Sequence, residues 1–294
     1  MTQLLQSVAD GVALGSLYAL AGLGIGLVFG VMRLVNFAYG EVITASAYTL
    51  LLTKNLPIWV RVVLAVVVAV LLSLLMEFVF RPLRSTTTAT MLVATFAISF
   101  LLQNIAAIRF GTRGESMNFL SNLNRAFSIG GVRIRMITLV SIAVGLSLLV
   151  ATAFVLNRTD LGLKMRAAAA DFQAARLLGV GASGVIVFAF VVSGVLAAAV
   201  AVMLSVQRPL ATPTFGFLIV IPALVGVVVG GMDRLVPATA GGFVIGFATV
   251  VLSDMLPSES RVFLNSALFG LVIVVLLVRP NGLFIRHSSS VDRL

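Results

Sequence analysis

The stretch RTDLGLKMRAAAADFQAARLLGVGAS, from Arg158 to Ser183, interrupts a chain that otherwise consists of long apolar runs. Its apolar residues recur with helical spacing, so that Met165, Phe172 and Ala175 lie on one face while charged residues occupy the others. The pattern predicts a short amphipathic helix outside the bilayer. Such a helix can lie on lipid headgroups or contact a partner protein.

Both ends of this segment carry the signals of a helix terminus. Thr159 or Asp160 can accept hydrogen bonds from the first backbone N–H groups of a helix. Gly179 stands where a helix C-terminus favours a left-handed residue. We therefore expect the helix to run between these two points.

The composition is that of a polytopic membrane protein. Of 294 residues, 60% are hydrophobic and only 10% are charged, whereas a soluble domain carries about 25% charged residues. The net charge of +10 comes from basic residues that punctuate apolar runs, which indicates contact with lipid headgroups rather than with nucleic acid. There is no Cys and the only His is His287, so we expect no disulfide, metal site or cofactor.

The apolar runs predict an all-α fold, because helices satisfy their backbone polar groups within the bilayer. A span needs about 20 apolar residues. Eight to nine transmembrane helices are expected within a single domain that covers residues 1–294. The candidate spans are roughly 8–31, 36–53, 57–80, 90–108, 136–156, 184–206, 216–232, 236–256 and 261–279. The span at 216–232 is short and contains Pro222.

Glycines at a spacing of four recur in several of these spans, as at Gly11–Gly15, Gly226–Gly230 and Gly242–Gly246. Small residues on one face let helix backbones approach closely in lipid. Dense glycine also permits helices to bend or break, as transporter helices do.

Enzymatic signatures are missing from the sequence. No glycine-rich phosphate loop precedes a lysine, and no Ser–His–Asp set or pair of catalytic carboxylates stands out. We therefore expect no catalytic residues, and any ATP hydrolysis belongs to another protein.

Polar residues inside apolar spans are the better functional clue, because burying them in lipid is costly. Such residues either line a translocation path or hold helices together through hydrogen bonds. The second and fourth predicted spans carry them. The candidates for a path or gate are Asn36, Tyr39, Glu41, Ser99, Gln103 and Asn104.

Several motifs in order resemble the permeases of bacterial ABC importers of the branched-chain amino acid type. They are the Arg158–Ser183 stretch, VNFAYGE at Val35–Glu41, AISFLLQN at Ala97–Asn104, the glycine-rich Gly226–Gly246 and RPNGLF at Arg279–Phe284. The likeness extends over nearly the whole chain. The sequence departs from it at Tyr39, where the amino acid permeases often carry His.

The resemblance implies that the Arg158–Ser183 stretch is a cytoplasmic coupling helix that docks onto an ATPase subunit. The implied contact residues are Gly162, Met165, Arg166, Asp171, Phe172, Arg176 and Gly179. Nine spans would then leave the N-terminus outside, and eight would reverse it. The spacing of Met165 and Phe172 would let both point at one groove.

The implied assembly is a permease in the bacterial inner membrane. Its partners would be a second, related permease, two cytoplasmic ATPase subunits and a periplasmic solute-binding protein. One alternative is a permease for urea or short-chain amides. Another is an autonomous channel or secondary transporter.

Overall fold

The computed structural model describes residues 2–117, 119–129, 132–232, 235–279 and 282–283. Within them the chain is mainly helical. The α-helices are α1 (Thr2–Met32), α2 (Tyr39–Leu52), α3 (Ile58–Phe80), α4 (Thr88–Phe110), α5 (Met136–Arg158), α6 (Asp160–Ala170), α7 (Phe172–Leu177), α8 (Ala182–Gln207), α9 (Phe217–Gly230), α10 (Leu235–Met255) and α11 (Leu264–Val278). Short 3₁₀ turns cover Pro82–Ser85, Ser121–Asn124 and Ser258–Phe263.

Two small antiparallel pairs of strands complete the described elements. Strand β1 (Glu115–Ser116) pairs with β4 (Leu210–Ala211), and β2 (Ala126–Ile129) forms a hairpin with β3 (Val132–Arg135). They lie in the loops that follow α4 and α8. The prediction of an all-α membrane bundle is confirmed, with these pairs as minor additions.

Among the described residues, seven helices are long and apolar enough to cross a membrane. The spans predicted at 36–53 and 216–232 are instead helices of 14 residues, α2 and α9. At 1.5 Å per residue each is about 21 Å long, shorter than the hydrocarbon layer of about 30 Å. The segments that precede them, residues 33–38 and 208–216, are not α-helical.

The two short helices begin beside each other, inside the bundle. The backbone N–H of Gly216, just before α9, donates to Thr44 Oγ1 of α2 at 2.9 Å. A Cβ placed on Gly216 would lie 2.0 Å from the carbonyl oxygen of Gly40. Glu41, one residue further along α2, contacts Ser99 at the midpoint of α4. The N-terminal ends of α2 and α9 therefore meet near half depth and the helices run in opposite directions.

Glycines bring α1, α9 and α10 into backbone contact. A Cβ on Gly246 of α10 would lie 2.6 Å from Gly15 Cα of α1, and one on Gly226 of α9 would lie 2.6 Å from Gly242 Cα. A Cβ on Gly230 would lie 2.1 Å from a backbone oxygen of α10. The close packing predicted from glycine spacing is thus confirmed for these three helices.

The polar stretch forms two helices rather than one. Thr159 caps α6, because its Oγ1 accepts from the backbone N–H of Gly162 at 3.1 Å. The chain breaks at Asp171, whose extended backbone (φ −150°, ψ 106°) ends α6 and whose Oδ1 caps α7 at Ala174 N–H, 3.0 Å away. Gly179 adopts φ +83° and closes α7, as the sequence predicted.

Helices α6 and α7 lie at one end of the bundle. Arg33, just after α1, donates from Nη2 to the carbonyl oxygen of Ala169 at 3.2 Å, so the last turn of α1 is at this end. Since α1 is 31 residues long, Thr2 lies at the opposite end. This agrees with the arrangement of nine passes, in which the N-terminus and α6 are on different sides.

Candidate functional site

Glu41, Ser99 and Gln103 form one hydrogen-bonded cluster between α2 and α4. Glu41 Oε1 accepts from Ser99 Oγ at 3.0 Å and from Gln103 Nε2 at 2.9 Å. Gln103 Nε2 also reaches Ser99 Oγ at 3.2 Å. Glu41 lies at half depth in an apolar bundle and is only 3% exposed, so its carboxyl group is buried. The structure therefore brings together three of the six polar residues predicted for the path.

The other three predicted residues lie apart from this cluster. Asn36 Oδ1 accepts from Ala38 N–H at 3.1 Å and so shapes the turn that leads into α2. Tyr39 is buried against α1, where its hydroxyl packs on Gly24 and has no hydrogen-bond partner among the described residues. Asn104 is exposed and donates to the carbonyl oxygen of Phe100 in its own helix at 2.7 Å.

Two threonines extend the polar contacts and were not identified from the sequence. Thr95 stands one turn before Ser99 on α4 and donates to the carbonyl oxygen of Val35 at 3.3 Å. Thr44 stands one turn after Gly40 on α2 and accepts from Gly216 N–H. Thr95, Ser99 and Gln103 are spaced by four residues, and this spacing could have identified Thr95 from the sequence. Nothing local in the sequence reveals that Thr44 meets residue 216.

A cleft of about 250 Å³ lies beside the cluster. Glu41 and Thr44 line it at half depth, and Arg109 and Phe110 line it near the end of α4 that lies away from α6. Tyr48 of α2 stacks on Phe110 at 4.1 Å between ring centroids. The cleft therefore runs along the half of the bundle in which α2 is helical.

The inner face of α6 packs against the rest of the chain. Met165 is 3% exposed and Ala168 4% exposed, and α7 turns Ala175 inward at 4%. The prediction that Met165 points into a groove on a partner is wrong, because its own chain already covers it. Phe172 begins α7, and its side chain lies outside the described part of the structure.

Gly162 also has a role within the chain. A Cβ at this position would lie 2.4 Å from the carbonyl oxygens of Val155 and Leu156. Only glycine permits the turn from α5 into α6 to be this tight. Packing within the subunit therefore explains why the Arg158–Ser183 stretch has a glycine at position 162.

The outer face of α6 and α7 carries the other predicted contact residues. Arg166 is exposed and donates from Nη1 to Asn157 Oδ1 at 3.3 Å, and Arg176 is exposed near the end of α7. Leu177 and Leu178, which follow Arg176 in the chain, are 90% and 85% exposed. These two leucines, which were not predicted from the sequence as contact residues, lie outside the spans and are large exposed apolar side chains.

Among the residues that the structure describes, no group of three or more His, Cys, Asp or Glu side chains could hold a metal ion. The buried carboxylates Glu41 and Glu77 lie in separate settings. Glu77 pairs with Arg81 at 3.7 Å and with Arg84. The Glu41 cluster can offer hydrogen bonds, and a carboxyl group that can contact a cationic or polar group.

Comparison with known proteins identifies relatives of the chain. The family model for "Branched-chain amino acid transport system / permease component" matches residues 7–278. The high-affinity branched-chain amino acid transport system permease protein BraD of Pseudomonas aeruginosa is 30% identical over 294 residues, with 95% of each chain covered. LivH of Escherichia coli, a permease protein of the same description, is 30% identical over 95% of this chain and 94% of its own.

A further relative has a lower identity. The probable branched-chain amino acid transport permease protein LivH of Methanocaldococcus jannaschii is 25% identical over 91% of this chain and 88% of its own. The family model and these relatives each extend over most of the bundle, including α2, α4 and the α6–α7 segment. The chain belongs to the family of branched-chain amino acid transport system permease components.

Proposed function

We propose that this chain is a permease subunit of an ABC importer that carries branched-chain amino acids across a bacterial inner membrane. The observation that carries the proposal is the Glu41–Ser99–Gln103 cluster at half depth, beside a cleft that extends along α2. Polar groups within a membrane bundle commonly mark a solute pathway. The substrate class follows from the family to which the chain belongs.

The path in this proposal follows α2 and α4 and then passes the junction of α2 with α9. Broken helices that meet near the midplane are a recurrent feature of solute sites in transporters. Asn36 and Tyr39 shape the segment on the α6 side of this junction, and Asn104 faces away from it. We therefore assign the path to Glu41, Ser99 and Gln103.

The energy source in this proposal is a pair of ATPase subunits on the cytoplasmic side. Each docks on the outer face of an α6–α7 segment, with Leu177 and Leu178 as anchors and Arg166, Asp171 and Arg176 around them. Exposed leucines outside the spans support this surface, because apolar anchors with a polar rim are typical of protein interfaces. Phe172 remains a predicted anchor.

The remaining partners are a second, related permease and a periplasmic binding protein that delivers the solute. The apolar outer faces of α4 and α11 can contact lipid or the second permease. A heterodimer is proposed because the chain resembles the shorter of the two permease types in such importers. The loops opposite α6 would receive the binding protein.

Reconstitution in liposomes tests the proposal. We expect the isolated subunit to accumulate no leucine, and the complete complex with ATP to accumulate it against a gradient. Uphill uptake by the subunit alone, driven by a proton or sodium gradient, would show a secondary transporter. A complex that carries urea or short amides but no branched-chain amino acid would refute the substrate class.

A further inference from the structure

The Glu41 carboxyl group is buried, and the described residues provide it with no cationic partner. Its two hydrogen-bond donors, Ser99 and Gln103, are neutral, and both bind Oε1. No ion pair and no bond to its other oxygen occurs in the described part of the chain. A carboxylate inside a bundle is costly unless a cation compensates it. A ligand with a positive charge could therefore act as the partner of Glu41.

The cleft beside Glu41 has the lining that a small amphiphilic cation requires. Hydroxyl-bearing side chains of α2, Thr44, Tyr48 and Thr49, stand on one side. Apolar side chains, Leu72, Leu102, Ile105 and Ala106, stand on the other. Its volume of about 250 Å³ is below the range of about 300–1,000 Å³ typical of drug-sized ligands.

The cationic residue of the cleft lies too far along α4 to neutralise Glu41. Arg109 is six residues beyond Gln103, which is about 9 Å along a helix axis. Its guanidinium lies 5.6 Å from the ring centroid of Phe110 and forms no ion pair with Glu41. The cleft thus has a positive group near its outer end and a negative group at half depth.

We propose that Glu41 receives the α-ammonium group of the solute in this cleft. The identity of the solute as an α-amino acid rests on the proposed function. The ammonium supplies the counter-charge of Glu41, while the branched side chain contacts Leu102 and Ile105. Ser99 and Gln103 hold the carboxylate in place before the solute arrives, so little reorganisation is needed on binding.

The natural absence of cysteine permits a direct test in the assembled complex. Ala45 lines the cleft one helical turn from Glu41, and Ala45→Cys places a thiol there. We expect a cationic ethylammonium thiosulfonate to modify this thiol about tenfold or more faster than an anionic ethylsulfonate thiosulfonate, because a unit charge lies within about 6 Å. In the matched background that also carries Glu41→Gln, the preference should vanish.

Protection by solutes then identifies the group that binds. We expect L-leucine and isopentylamine to slow modification, and 4-methylpentanoate, which lacks the ammonium group, to leave it unchanged. Protection by 4-methylpentanoate equal to that by leucine would overturn the proposal. Equal rates of the two reagents, or a thiol that reacts with neither, would overturn it as well.

The two proposals fail separately under this design. Modification rates need neither ATP hydrolysis nor the binding protein, so they report on the cleft alone. A complex that keeps the charge preference yet accumulates no branched-chain amino acid would contradict the proposed function. A complex that accumulates leucine but shows no preference would contradict only the role of Glu41.

Discussion

Gly216→Ala adds one methyl group at the junction of α2 and α9. The backbone of Gly216 has φ −78°, a conformation open to any residue, so the substitution acts through space alone. The new Cβ would lie 2.0 Å from the Gly40 carbonyl oxygen and 2.8 Å from Ile43 Cβ. A carbon and an oxygen need about 3.3 Å or more. The two helices must therefore separate by about 1.3 Å.

The cost follows from two contributions. Overpacking of a tightly packed interior destabilises by about 1–3 kcal/mol. The separation also breaks the hydrogen bond from Gly216 N–H to Thr44 Oγ1, which contributes about 0.5–1.5 kcal/mol. We therefore expect Gly216→Ala to lower the free energy of unfolding by about 1.5–4.5 kcal/mol and to reduce uptake, since the junction borders the proposed path.

Gly270→Ala is the matched control, because nothing lies within 4 Å of a Cβ at this position in α11. Alanine is favoured over glycine in a helix by about 1 kcal/mol, so the control should be neutral or stabilising. Thermal unfolding in detergent and leucine uptake in proteoliposomes measure both effects. If the two variants unfold alike and transport alike, the described junction of α2 and α9 is refuted.

Two further predictions concern the docking surface and the path. Leu178→Asp should weaken co-purification of the ATPase about tenfold or more, because burying a leucine contributes about 1.5–3 kcal/mol. Val262, in the loop between α10 and α11, is equally exposed at 85%. The control Val262→Asp should therefore leave co-purification of the ATPase unchanged. An ATPase that stays bound to Leu178→Asp would contradict the docking surface. Gln103→Ala removes a donor to Glu41, a bond of about 1.5–3 kcal/mol, and should reduce uptake several-fold without loss of assembly. Asn104→Ala, its control, should transport normally; equal uptake in both would exclude Gln103 from the path.

Periodicity allowed part of the candidate site to be predicted. Ser99 and Gln103 are four apart, so a helix places them on one face, and both contact Glu41. Asn104 is five residues from Ser99, and the extra 100° of rotation turns it away. The hydrophobic runs likewise located the seven long helices. The spacing of residues in the sequence is sufficient to predict which side chains share one face of a single helix.

Contacts between distant segments could not be obtained in this way. Hydropathy counts apolar residues but does not distinguish a helix from a non-helical segment, and Leu34 and Ala38 are buried in the non-helical segment before α2. An amphipathic pattern also leaves open what covers the apolar face. Met165 illustrates this, since its own bundle covers it and not a partner.

The meeting of α2 and α9 also constrains the order in which the protein is made. The Thr44 hydroxyl of α2 accepts a hydrogen bond from the backbone N–H of Gly216, which lies 172 residues later in the chain. Ribosomal synthesis proceeds from the N-terminus, so α2 enters the membrane while its partner is still untranslated. A helix of 14 residues is too short to partition into lipid alone. During biogenesis α2 must therefore stay packed beside α3 until the last third of the polypeptide has been synthesised and α9 can join it.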